Sequence, residues 1–248
     1  MNKIPVAKTI YTNYENFAAE CPWCGKKNIF NRASDLATFE PIAGLDVVCL
    51  SNKCGKEFRL IGDTLNSPHE MLIYDCYKLI QQKQYMNTIL TLAQAYEVFF
   101  NLFLRIEFLY KPFSAERDIA KFNSLSEMLY EKLKKHTFAK MRNHFLGYLL
   151  DNNPPRDLIE AERRIVSLSD NPREPKNTEI DSMNDSVLKP LLIAIKETEI
   201  NTLRNKIIHK QAYRPTREEV DRAFEEAKTI MNELTFHLKL YDNIAFYK

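Results

Sequence analysis

Hydrophobic and polar residues follow two different patterns along the chain, and the change falls near residue 65. Before it the apolar runs are short, and residues 45–50 and 57–61 have the alternating or β-branched character of strands, with turn-forming residues between them. After it apolar residues recur at helical spacing, and Gly147 is the only glycine left. We therefore predict a small β-rich domain at 1–64, containing a hairpin, and an all-α domain at 65–248.

The helical domain divides into seven predicted helices, separated where prolines or polar stretches interrupt the apolar spacing. The predicted ranges are 69–82, 84–110, 115–135, 137–150, 157–168, 185–209 and 216–238. The last helix begins at Thr216, which forms the sequence pattern of a capping box with Glu219. The second helix is apolar on almost every face, so it is either the centre of the bundle or part of a dimer interface.

Composition places the chain among ordinary globular proteins. It has 248 residues, of which 45% are hydrophobic and 27% charged, and no run approaches the roughly 20 uncharged apolar residues of a membrane span. The first residues lack the apolar segment of a secretory signal, so we expect a soluble, cytoplasmic protein without a membrane partner. The net charge of +2 is too mild to indicate a nucleic-acid partner by itself. Any basic surface must therefore be local.

Four of the five cysteines form two close pairs in the first domain. Two residues separate Cys21 from Cys24, and four separate Cys49 from Cys54. Two such pairs on facing hairpins can complete a closed tetrahedral site, so we predict a zinc ribbon with one structural zinc ion bound by these four thiolates. The alternative interpretation is a thioredoxin-like redox pair at Cys21 and Cys24. It requires a helix after the pair, where this sequence has a turn.

A basic segment with an Arg–His pair ends the penultimate predicted helix. Arg204 is followed by Asn205, and His209 comes five residues after the arginine. Residues 204–217 hold five basic residues and no acidic one, which predicts a local anion site. The candidate substrate-binding residues of this site are Lys206, Lys210 and Arg214.

These residues resemble the signature of the HEPN superfamily, a group of α-helical bundles that includes many ribonucleases. The signature is R-x4-6-H with a polar residue, often Asn, after the arginine, and it matches Arg204, Asn205 and His209. The resemblance implies a HEPN-like bundle that is a homodimer with both motifs facing one cleft. It also implies that these three residues are catalytic. By family analogy, the protein would be a toxin or phage-defence effector with an inhibitor or sensor protein as a partner.

The Arg204–His209 pair fits metal-independent cleavage of RNA. That reaction requires a base for the 2'-hydroxyl, an acid for the leaving 5'-oxygen and cationic groups for the charge that builds up at phosphorus. Positions i and i+5 of an ideal helix are about 140° apart, so the two side chains meet only if the helix loosens near His209 or if two chains contribute. We predict an endoribonuclease that acts by 2'-hydroxyl attack.

Other interpretations stay open. The bundle could bind nucleic acid, nucleotide or a protein without cleaving it, and the chain would then be a zinc-ribbon adaptor. Glu97, set among aromatic residues, is either a buried partner for an arginine or an accessory residue of the site, and we favour the site. Residues 134–144, which include several basic side chains, are interpreted as a solvated basic face.

Overall fold

A β-rich N-terminal part precedes a helical bundle. The computed structural model describes residues 16–31, 35, 45–60, 68–113, 119–210, 213–240 and 245–247. The structure is mainly helical, with 63% helix and 8% strand, which confirms the predicted fold class of a mainly α protein with a small β-rich region. The boundary predicted near residue 65 lies outside the described residues.

Two antiparallel hairpins form the N-terminal part. The first consists of β1 (Asn16–Glu20) and β2 (Lys27–Asn31), and the second of β3 (Leu45–Val48) and β4 (Glu57–Leu60). The second hairpin is the one that the alternating pattern predicted. Phe58 of β4 is fully buried in a small apolar core that is separate from the core of the bundle.

A strand from the end of the chain extends the second hairpin. This strand, β5 (Ala245–Tyr247), pairs antiparallel with β4, so that Phe58 lies opposite Tyr247. The strand order of the sheet is β3-β4-β5. Residues beyond the last helix therefore contribute to the β-rich part. The sequence pattern did not indicate this pairing of β5 with β4.

The bundle contains nine helices within the described residues. They are α1 (Pro68–Gln81), α2 (Tyr85–Arg105), α3 (Ile119–Leu133), α4 (Phe138–Asp151), α5 (Leu158–Val166), α6 (Asn177–Asp181), α7 (Leu188–Glu197), α8 (Ile200–His209) and α9 (Arg217–His237). A π-helical segment, Ile106–Tyr110, continues α2. The predicted start of the third helix, at residue 115, lies outside the described residues. Thr216 and Glu219 form the predicted capping box at the start of α9.

The prediction of one long helix over 185–209 is wrong. The structure breaks it at Thr198, whose backbone is extended, with ψ of 131°. The Thr198 hydroxyl accepts a hydrogen bond from the backbone N–H of Ile200 at 3.4 Å and so helps to begin α8. The apolar spacing continues on both sides of the break, which explains why periodicity did not locate it.

The helix α2 is the centre of the bundle. It contacts α1, α3, α4, α8 and α9, and its aromatic side chains Tyr96, Phe99, Phe100 and Phe103 are fully buried. Its apolar surface is therefore used within one chain and does not indicate a dimer interface. Tyr85–Tyr110 is also the one described segment long and apolar enough to cross a membrane, but it lies mostly buried inside the bundle.

Candidate functional site

The two hairpin turns of the N-terminal part bring four sulfur atoms together. The Sγ atoms of Cys21 and Cys54 lie 3.9 Å apart, and those of Cys24 and Cys49 lie 3.7 Å apart. All four sulfur atoms are within 4.8 Å of one another, and all four thiols are free. A cluster of this kind can hold one metal ion with four thiolate ligands.

The local backbone explains how each cysteine pair folds inward. The N–H of Gly25 donates to the carbonyl oxygen of Cys21 at 2.8 Å, and the N–H of Gly55 donates to that of Ser51 at 3.1 Å. Both glycines have positive φ, 67° and 57°, which residues with a Cβ rarely adopt. Each turn connects two strands, so no helix follows Cys21 and Cys24, and the redox interpretation lacks the structure that it requires.

Trp23 forms an exposed aromatic tip between the first two metal-ligand candidates. Its side chain is 41% exposed, although its indole N–H donates to the carbonyl oxygen of Glu57 at 2.9 Å. The ammonium group of Lys56 lies 4.4 Å from the centroid of the ring, and Lys26 and Lys53 are exposed in the same two turns. We call Trp23 and these three lysines the knuckle tip. Trp23 was not predicted, although the only tryptophan of the chain lies between two predicted ligands.

Glu97 of α2 and Arg204 of α8 lie on two helices that are in contact, and their charges interact although the two side chains form no ion pair or hydrogen bond. Both residues are half-buried. Burial raises the pKa of Glu97, while the positive charge of Arg204 acts in the opposite direction. The guanidinium group therefore favours the ionised carboxylate and offsets part of the cost of its burial. The arginine whose charge acts on Glu97 is the predicted catalytic one, and both roles considered for Glu97 stay predictions.

The helix α8 remains regular through His209. The N–H of Lys210 donates to the carbonyl oxygen of Lys206 at 2.9 Å, and the backbone becomes extended only at Lys210. Because the helix does not loosen near His209, Arg204 and His209 point to different sides of it. One chain therefore does not bring the two side chains together.

Asn205 and His209 share one exposed face of α8. They are four residues apart, which places their side chains one above the other on a helix, and both are exposed. Ile208 lies beside His209 with 49% of its side chain exposed. The end of α8 therefore presents an amide, an imidazole and an apolar side chain to the surroundings.

The predicted substrate-binding residues fall into two groups. Lys206 is half-buried, and its ammonium group lies 5.4 Å from the ring centroid of Tyr213. The hydroxyl of Tyr213 donates to Glu219 at 2.8 Å. The backbone N–H of Thr216 and then this hydroxyl lower the pKa of Glu219, with a smaller contribution from Lys206. Lys206 thus belongs to the junction between α8 and α9, whereas Lys210 and Arg214 are exposed.

Residues 134–144 form only part of the predicted solvated basic face, because Lys134 and Lys135 are exposed while His136, Arg142 and His144 are not. The side chain of His136 is only 4% exposed and stacks on His144 with 5.0 Å between ring centroids. Burial lowers the pKa of both imidazoles, to about 4 for His144, so both are neutral near pH 7. Arg142 is also largely buried and donates to the carbonyl oxygen of Lys196. These three side chains do not extend a cationic surface.

Comparisons with known proteins give no further information about this site. No protein-family model matches the chain, and neither a curated protein nor a solved structure matches it. The function therefore has to be argued from the residues and their arrangement.

Proposed function

We propose that the protein is a metal-independent endoribonuclease of the HEPN type. The observation that carries this proposal is the exposed face at the end of α8, where Asn205 and His209 lie together on the helix that also bears Arg204. The guanidinium group of Arg204 carries a permanent positive charge, and the exposed imidazole of His209 is accessible to RNA. Both features are what phosphodiester cleavage requires of a cation and a base.

The proposed reaction uses His209 as the base. Its imidazole takes the proton of the 2'-hydroxyl, the 2'-oxygen attacks the adjacent phosphorus, and the bond to the 5'-oxygen breaks. A water molecule protonates the leaving 5'-oxygen, so the products end in a 2',3'-cyclic phosphate and a 5'-hydroxyl. Arg204 stabilises the negative charge that builds up on the phosphoryl oxygens, and Asn205 donates to one of them. Lys210 and Arg214 bind neighbouring phosphates.

The proposed active form is a homodimer. Arg204 and His209 diverge on a regular helix, so each reaction centre combines His209 of one chain with Arg204 of a second copy. A two-fold axis near the end of α8 brings both pairs into one cleft. The exposed side chain of Ile208 supplies apolar contact area at that position.

We propose that the metal of the cysteine cluster is zinc. Zinc binds four thiolates tetrahedrally at about 2.3 Å, which corresponds to sulfur–sulfur distances of about 3.8 Å. Two sulfur–sulfur distances in the cluster, 3.7 and 3.9 Å, support this assignment. Four protein ligands leave no open position for a substrate, so the ion stabilises the ribbon and takes no part in cleavage.

The knuckle tip supports RNA as the partner. Bases stack on aromatic rings, and lysines beside such a ring attract the phosphates. The same observation favours a second candidate function, that of a zinc-ribbon adaptor that binds nucleic acid or protein without cleaving it. Cleavage by the α8 residues is what separates the two functions.

The test is an RNA cleavage assay in a buffer with EDTA, with zinc content measured afterwards. Wild-type protein is compared with Arg204→Ala and His209→Ala, and Arg222→Ala is the control because Arg222 is an exposed arginine paired with Glu199 on the bundle. We expect cleavage by wild type and by the control, with losses on the order of 100-fold or more in the two site variants. Equal cleavage by all four proteins excludes this site, and RNA binding without cleavage by wild type favours the adaptor.

A further inference from the structure

One side of the central helix α2 is not covered by the rest of the bundle. Along its second half, exposed or half-buried residues recur at helical spacing, whereas the positions between them are buried. The uncovered positions are Gln94, Glu97, Val98, Asn101, Leu102 and Arg105. At 3.6 residues per turn these positions fall within an arc of about 140°. They form one continuous surface, which we call the open stripe.

Arg105 ends the open stripe with a half-buried guanidinium group that lacks a carboxylate partner. In the part of the chain that the structure describes, the half-buried arginines are Arg59, Arg105, Arg142, Arg164 and Arg204. Three of them form ion pairs with carboxylates, whereas Arg105 and Arg204 form none. A charge that is partly withdrawn from water is stabilised when an anion pairs with it. Arg105 is therefore a candidate contact for an anionic ligand.

Neutral groups hold this guanidinium group in one orientation. The Nε and Nη2 atoms of Arg105 donate to Oγ of Ser126 at 3.1 and 2.8 Å. Because this oxygen accepts two hydrogen bonds, its own O–H donates to the hydroxyl oxygen of Tyr110 at 3.0 Å. Ser126 and Tyr110 are both buried. Packing therefore fixes the groups that orient Arg105, and none of them neutralises its charge.

The π-helical segment at the end of α2 brings Tyr110 to Arg105. In an α-helix, residues five apart point about 140° away from each other. Here the N–H of Lys111 donates to the carbonyl oxygen of Ile106 at 2.8 Å, which is the i→i+5 bond of a π-helix. With this wider turn, the ring centroid of Tyr110 lies 5.5 Å from Cζ of Arg105. Single π-helical turns are frequent at functional sites.

The remaining N–H groups of Arg105 are open to solvent. Two of its five N–H groups donate to Ser126, and Nη1 has no hydrogen-bond partner among the described residues. Nη1 is also absent from the buried atoms that lack a partner, so it retains accessible surface. An anion that approaches along the open stripe can therefore accept hydrogen bonds from it.

We propose that Arg105 binds a backbone phosphate of RNA that lies along the open stripe. The forked N–H groups of an arginine match the oxygens of a phosphate, and a polynucleotide gains affinity from several such contacts. Glu97, the carboxylate of the stripe, is opposed by the charge of Arg204 on α8. Arg105 lies eight residues, or about 12 Å, further along α2. The inference rests on the proposed function, because it takes RNA as the partner.

Measurement of RNA binding in a His209→Ala background, in which the proposed cleavage cannot occur, tests this contact. Arg105→Gln keeps a side-chain N–H for Ser126 but removes the charge. It should weaken binding of single-stranded RNA about tenfold for any sequence and reduce the slope of log K against log salt by about 0.7, since one phosphate contact is lost. Arg105→Lys should retain the slope. Arg163→Gln is the control, because it removes the same charge from an exposed position on α5.

A change at Ser126 gives a second test that does not depend on the folding of Arg105→Gln. Ser126→Ala removes the hydroxyl that orients the guanidinium group and keeps the charge. We expect RNA affinity to fall about threefold while the salt slope stays unchanged. Unchanged affinity in Ser126→Ala contradicts the proposed orientation of Arg105.

The outcomes separate this inference from the proposed cleavage. The inference is wrong if Arg105→Gln and Arg163→Gln bind RNA equally, with the same salt slope. It is also wrong if inorganic phosphate alone binds at Arg105 in calorimetric titration while RNA affinity is unchanged in Arg105→Gln. If Arg105→Gln weakens RNA binding but the wild-type protein does not cleave RNA, the inference stands and the cleavage proposal is wrong. Absence of RNA binding overturns both.

Discussion

The positive charge of Arg204 on α8 opposes the rise that burial causes in the pKa of Glu97 on α2, and both residues are half-buried. The central helix of the bundle is thereby connected electrostatically to the helix that carries the R-x4-H motif. If the proposed cleavage takes place, Glu97 can affect it without touching RNA, because its charge acts on Arg204.

Replacement of Glu97 should therefore reduce cleavage without unfolding the bundle. Glu97→Gln removes the charge and keeps the volume, so we expect a roughly tenfold fall in kcat and a smaller change in KM, since positioning acts on the transition state. Glu97→Asp should restore part of the activity. Glu199→Gln is a matched control, because Glu199 is an exposed glutamate paired with Arg222. Unchanged kcat in Glu97→Gln would remove Glu97 from the site.

Measurement of bound metal tests the proposed zinc site of the ribbon. Protein purified without chelator should contain about one zinc ion per chain, and Cys49→Ser should lose it and unfold the N-terminal hairpins, because the cluster uses all four sulfur atoms. Cys76→Ala is the control, since Cys76 is buried in the bundle core and lies outside the cluster. A zinc content near zero, or a disulfide between Cys21 and Cys24, contradicts the assignment.

Removal of the indole at the knuckle tip should weaken RNA binding. In a His209→Ala background, which prevents cleavage, Trp23→Ala should reduce affinity for single-stranded RNA about tenfold, since stacking of one base contributes about 1–3 kcal/mol. Trp23→Phe should retain part of the affinity for single-stranded RNA. Phe236→Ala is the control, because Phe236 is 84% exposed on the bundle. Equal loss in Trp23→Ala and Phe236→Ala would show that the knuckle tip has no special role.

The stability of the protein should fall in mild acid because of buried imidazoles. His69 is buried edge-on against Phe99, 4.9 Å between ring centroids, and burial lowers the pKa of His69 to about 3. Between about pH 6.5 and 3 the unfolded chain binds a proton that the folded chain does not. This contribution to stability is therefore complete above pH 6.5 and is lost as the pH falls.

Urea unfolding at pH 7.5 and pH 5.0 measures this effect. His69 alone should account for about 2 kcal/mol of the difference in unfolding free energy between the two conditions. His69→Gln lowers stability at both pH values but should reduce the difference by about that amount. If the difference is the same in the variant and in wild type, the buried imidazole is not the cause.

Patterns of neighbouring residues predicted most helices and the second hairpin. They did not predict contacts between segments that are far apart in the sequence. Apolar periodicity located most helices because burial on one face determines where such residues stand. The charge pattern around His136 and Arg142 indicated an exposed surface, yet Asp170 and Glu174 from a polar stretch further along the chain pair with these side chains. The effect of the Arg204 charge on Glu97 also joins two distant segments of the chain. The spacing of residues within one helix does not predict which other segment of the chain packs against that helix.

Because Arg204 and His209 diverge on α8, the proposed composite site predicts how dimers of two different variants behave. Light scattering should give about twice 29.1 kDa. If each reaction centre takes Arg204 from one chain and His209 from the other, inactive Arg204→Ala and His209→Ala proteins should regain activity when their chains are exchanged. Each mixed dimer then contains one intact centre and one that lacks both side chains, so random exchange should restore about a quarter of wild-type activity. A fully active monomer, or mixed chains that stay inactive after proven exchange, would contradict the composite site.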